Sequence, residues 1–152
     1  MTPFIPLSLL LEEESLFKHE YEYLQFYKER KSWIDALEHC QREASDLAQI
    51  TDPKVQNIVN STLKKNEVLP DGVWIGLERS IFGFNVSWQW TSGTHVKHNR
   101  WHSTFPVDSL NNHCGKIILA NSDFMWLDAN CHDKLPFICQ GKLLFDLKAD
   151  LG

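Results

Sequence analysis

Four cysteines, Cys40, Cys114, Cys131 and Cys139, restrict this chain more than any other feature. No two are spaced as a CxxC pair, the spacing that opens many zinc sites and redox motifs. Cys114 and Cys131 flank two apolar segments, and Cys40 and Cys139 sit near opposite ends of the region that reads as folded. That layout is a disulfide framework, which belongs to a secreted, extracellular chain. Four cysteines allow three pairings, and their spacing does not choose among them.

A chain of 152 residues, 43% hydrophobic and 12% aromatic, has the size and the apolar content of one well-filled domain. Its net charge of -5 is spread without a Lys/Arg stripe, so it has no surface for displacing counterions from nucleic acid. The dense basic stretch, Tyr27 to Lys31, reads as a solvated approach to a helix. Asn60-Ser61-Thr62 and Asn85-Val86-Ser87 are glycosylation sequons that matter if the chain is secreted. Residues 1–20 carry a short apolar run with Pro3 and Pro6 but no basic start and no small-residue cleavage site, and so read as a poor or altered signal peptide. No run is long enough to span a bilayer, which takes about 20 apolar residues.

Ser32 is a good N-cap, and Trp33, Ala36, Leu37, Cys40 and Ala44 follow at helical spacing. Thr51-Asp52-Pro53 announces a second helix through Val55, Ile58, Val59 and Leu63, a register that turns Asn60 away from the apolar stripe. After the Pro70-Asp71-Gly72 turn the pattern becomes strand-like, at Val73 to Leu77, Ser87 to Trp90, Lys116 to Leu119, Phe124 to Trp126 and Pro136 to Cys139. Helices first and strands afterwards predict an α+β domain. Thr91 to His113 is a long polar segment, of the kind that is usually functional. Leu143 to Leu147 is a weak amphipathic patch in a tail, residues 141–152, expected to fray.

A helix bearing a cysteine, a second helix, Trp74-Ile75-Gly76-Leu77, Trp88-Gln89-Trp90, Trp101, Cys114, Trp126 with Cys131, and Phe137-Ile138-Cys139 follow one another in an order that closely resembles the C-type lectin-like domain, across residues 21–140. Trp33 to Cys40 is similar in style to short single-domain lectins of fish. The resemblance implies two helices with antiparallel sheets and a long loop region, and it supplies the pairing: Cys40 with Cys139, and Cys114 with Cys131. No cysteines are present for a further N-terminal disulfide, so this is the short form.

Sugar-binding members of that family hold calcium between a Glu-Pro-Asn or Gln-Pro-Asp loop, a nearby Glu and a Trp-Asn-Asp strand end. Here the loop reads Phe105-Pro106-Val107, the acidic position is Asn112 and the strand end is Trp126-Leu127-Asp128. Calcium takes about 6 to 8 oxygen ligands, and one carboxylate with one amide falls well short. Asp108, near an auxiliary position, adds little. No cofactor is expected, and Asp128 reads as a remnant position or a loop hydrogen-bonder beside Cys131. Whether Pro106 keeps the cis bond found in sugar-binding relatives stays open.

His95, His98, His102 and His113 fall in the same loop and read as exposed loop histidines, with a zinc or nickel site or a pH switch as the alternative. Trp74, Trp88 and Trp126 read as core, whereas Trp101 borders the loop and suits sugar stacking or a protein hot spot. Trp101, His102, Asn111, Asn112 and Asp128 are the candidate ligand-binding set. No catalytic motif is present, neither GxSxG nor HExxH. The expected role is recognition of a glycan or protein partner through residues 91–112 without the usual calcium site. Calcium-dependent sugar binding through non-standard ligands is the alternative, and self-association or an ice-binding role is another.

Overall fold

The computed structural model describes residues 20–66, 71–81 and 87–144. It divides into two units, Leu24–Gln140 and Met1–Tyr23 with Gly141–Gly152. Of the second unit, the described part is the outer ends of β1 and β7, where Gly141 lies against the Tyr23 ring and leaves no room for a side chain.

The described elements are β1 (Glu20–Lys31), α1 (Trp33–Arg42), β2 (Asp46–Leu47), α2 (Pro53–Lys65), β3 (Val73–Glu78), β4 (Gln89–Trp90), β5 (Cys114–Ala120), β6 (Asp123–Ala129) and β7 (Leu135–Leu144). The strands run in the order β1-β7-β3-β5-β6, with β2 on β7 and β4 on β3. The α+β class holds, but the sheet is mixed where antiparallel pairing was expected, because β3 and β7 pair in parallel at Trp74 and Phe137. A strand that arrives from a distant part of the chain is not joined by a hairpin, so nothing forces it to run antiparallel. Tyr27 to Lys31 is likewise strand: Leu24 and Phe26 pack on the core while Gln25 is exposed, a two-residue period half-hidden by exposed Lys28, Glu29 and Arg30.

Both helix starts follow their caps. The Ser32 side chain accepts from the amide of Asp35, and Asp52 accepts from that of Val55 with Pro53 in the first turn. Ala44 is not part of the α1 stripe: the helix ends at Arg42, and Ala44 is exposed at φ 57. On α2 the inward set is Val55, Gln56, Val59 and Leu63, whereas Ile58 is 43% exposed. Gln56 can be buried because both ends of its amide are bonded, to Trp126 and to Asn60. That rotation leaves Asn60 half-buried on the flank of the stripe.

β3 separates two cores. Val73, Ile75 and Leu77 face the α2 side with Trp90, Ile117, Trp126 and Ile138; Trp74 faces the α1 side with Trp33, Leu47 and Phe137. Alternation along a strand buried on both faces explains why its sequence is an unbroken apolar run. Gly76 is required by close approach, since a Cβ there would sit 2.9 Å from the carbonyl oxygen of Leu47. The buried indoles of Trp33 and Trp74 donate to the carbonyls of Ile75 and Lys31. Cys40–Cys139 ties α1 to β7, and Cys114–Cys131 ties the start of β5 to the loop after β6.

Candidate functional site

The segment from Thr91 to His113 carries no helix or strand, yet it is pinned throughout. Beside β6, the amide of Trp126 donates to the Arg100 carbonyl and that of His102 to the Trp126 carbonyl, each at 2.8 Å. Trp101 stacks on Phe105 at 3.8 Å between ring centroids and meets Trp88 and Trp126 edge-on at 5.1 and 5.7 Å. Trp101 is therefore half-buried in an aromatic cluster at the border of the loop. Trp88 is half-buried too, against its reading as core, and Trp90 takes the core place.

Asp128 is 2% exposed, and its carboxylate faces the loop. Oδ1 accepts from the Val107 amide at 2.7 Å, and Oδ2 accepts from the Asp108 amide at 2.9 Å and from Asn112 Nδ2 at 3.0 Å. Three donors converging on one charge make strong bonds that hold a loop in one geometry. A second carboxylate repeats the device: Asp108 accepts from the amides of Leu110 and Asn111 at 3.1 Å and from Asn111 Nδ2 at 2.9 Å. The Asn111 side chain and amide hold the Asp108 carboxyl below the usual carboxylate range against the opposing effect of burial, with smaller help from the Leu110 amide and from His113. The Arg79 guanidinium closes the turn by donating to the carbonyls of Ser109 and Asn112 while lying over the Trp88 ring. The Phe105-Pro106 peptide is cis.

Of the candidate set, the structure brings Asn112 and Asp128 together but buries both, so their polar atoms serve the loop. Asn111 is exposed and spends its amide on Asp108. His102 Nδ1 contacts Thr104, bonded to its hydroxyl at 2.7 Å and accepting from its amide at 3.2 Å. His95 is exposed in a bridge with Gln89, His113 Nε2 meets the Leu110 carbonyl, and His98 packs edge-on to Trp126. Among the described residues no three His, Cys, Asp or Glu converge as metal ligands. Among its exposed polar residues the loop also presents two aliphatic ones, Val107 at 58% and Leu110 at 80% exposed. Sequence reasoning gave neither a part in binding, although with Val96 they are the aliphatic residues of a largely polar loop and so a visible signal; Arg79, remote in sequence, left none. The Asn85 sequon, residues 1–19 and residues 145–152 lie outside the described residues, so the tail patch is described only as the backbone of β7 up to Leu144.

Two helices on a mixed sheet, an unbroken two-sided central strand, two disulfides and a long pinned loop at one sheet edge define a C-type lectin-like domain. The chain matches the family Lectin C-type domain over residues 29–141, and it belongs to that family. It is similar to bovine lithostathine, 26% identical over 118 residues covering 75% of this chain and 67% of lithostathine. It is 29% identical to human C-type mannose receptor 2 over 111 residues, 73% of this chain but 7% of that receptor. The fold superposes on human lithostathine with a TM-score of 0.72 at 27% identity, covering 82% of this chain and 86% of that one. No described helix is long and apolar enough to cross a membrane.

Proposed function

We propose that this chain is an extracellular recognition module that binds a protein or glycan ligand through the surface of residues 91–112 without a family-type calcium ion. The observation that carries this reading is the Asp128 carboxylate, which is buried and already accepts from two backbone amides and from Asn112. A cation there would have to displace all three donors, and the neighbouring positions Phe105, Val107 and Leu127 bring no side-chain oxygen to replace them. The donor set does not fit calcium. The two disulfides support the extracellular setting, and the absence of any catalytic motif from the sequence supports recognition over chemistry.

A second reading, calcium-dependent sugar binding through non-standard ligands, draws on the 3.0 Å approach of Asn112 to Asp128, two oxygen-bearing side chains at family-type positions. Calorimetric titration of the oxidised protein with calcium, beside melts with calcium and with EDTA, separates the two. The expected result is no saturable heat and superimposable melts. Saturable binding with a stabilisation of about 2.7 kcal/mol at 100-fold excess over Kd would replace the first reading with the second.

A further inference from the structure

We propose that Asn60 carries an N-linked glycan whose attachment atom is held outward by a hydrogen-bond relay that starts at a buried indole. The inference rests on the extracellular reading above, because the modification needs the secretory route. Trp126 is fully buried, and its Nε1 donates to Gln56 Oε1 at 3.1 Å. An indole nitrogen can only donate, so Gln56, itself 3% exposed, must turn its oxygen to Trp126 and its NH2 the other way. That NH2 donates to Asn60 Oδ1 at 2.8 Å. Asn60 must therefore point its oxygen inward.

The direction of both amides follows from the indole, which can only donate. A flipped Asn60 would set two NH2 groups against each other and leave a buried donor unpaired. Nδ2, on the opposite branch of the same planar amide, makes no hydrogen bond among the described residues and is not sealed from solvent. It is the atom that glycosylation uses: Nδ2 attacks the anomeric carbon of a lipid-pyrophosphate-linked oligosaccharide, the carbon–oxygen bond breaks, the pyrophosphate leaves with the electron pair, and one amide proton is lost to base. The inward oxygen takes no part. A glycan on Asn60 thus leaves the relay to Trp126 whole.

The test is expression of the full chain behind a cleavable secretory leader in eukaryotic cells, with peptide mapping before and after enzymatic glycan release. Occupied Asn60 is expected, abolished by Thr62→Ala. Release converts Asn60 to an aspartate that still offers an oxygen to Gln56, so the melting temperature should not change; Asn60→Leu, which leaves the Gln56 NH2 unpaired, should lower it. An unmodified Asn60 in secreted protein that has formed both disulfides overturns the proposal and leaves the recognition reading standing. A glycan that lowers the melting temperature overturns the outward placement of Nδ2.

Discussion

Replacing Asp128 with alanine should release the loop. The carboxylate accepts three hydrogen bonds of 2.7 to 3.0 Å while 2% exposed. Bonds to a charged partner contribute about 1.5–3 kcal/mol each, but those sharing one acceptor are not additive, and removing the buried charge recovers part of its desolvation cost. Amides at the loop surface can also be rehydrated. The net loss is about 2–4 kcal/mol, which for a domain of this size lowers the melting temperature by roughly 5–15 °C. Asp128→Asn, which keeps one acceptor but turns an NH2 toward donors, should lose somewhat less. Denaturant unfolding of the oxidised protein gives the global figure. Amide exchange at Val107 and Asp108 gives the local one, with an acceleration of at least about tenfold expected for a loss above 1.4 kcal/mol. A loss below about 0.5 kcal/mol, the range of an ordinary surface change, together with unchanged exchange at both amides would refute the claim that Asp128 holds the loop.

Acid should weaken the same region through His98. Its Nε2 is sealed without a partner, and burial, then the Arg100 charge, depress its pKa against the opposing pull of Asp52. The fold thus favours the neutral ring, so stability is full above the ordinary imidazole value of about 6.5 and is lost as pH falls through the depressed folded value. Melting curves across that range should be flatter for His98→Gln; equal slopes would remove His98 from the account. The Cys40–Cys139 bridge closes a separation of 99 residues and Cys114–Cys131 one of 17, so loop entropy predicts losses of about 4.7 and about 3 kcal/mol for the respective double alanine variants; the reverse ranking in denaturant would contradict it. Ala44 at φ 57 and Ser122 at φ 67 occupy backbone that favours glycine, so Ala44→Gly and Ser122→Gly should each gain about 0.5–1 kcal/mol, and a loss at either would show the turn to be held by contacts of the side chain.

Features that depend on near neighbours were legible in the sequence. Ser32 and Asp52 cap their helices because a cap needs only the next turn, and the apolar run from Val73 to Leu77 announced a strand. The replacement of calcium-ligand residue types by Phe105, Val107 and Leu127 was equally open to view, since the chemistry of a side chain is a property of the residue. The long partners were not. Nothing local says that Gln56 will be buried and Ile58 exposed; an indole 70 positions away decides it by requiring an acceptor inside the core. β1 was hidden because its exposed residues are charged and its inward ones, Leu24 and Phe26, show their period only against a core supplied by other strands. Asp128 could be read as a loop hydrogen-bonder, but two of its three donors, the backbone amides of Val107 and Asp108, lie 21 and 20 positions off and carry no side-chain signature. Local order and chemical type are written residue by residue, whereas the satisfaction of a buried polar group is settled only when distant segments meet, because desolvation gives each such group one set of partners.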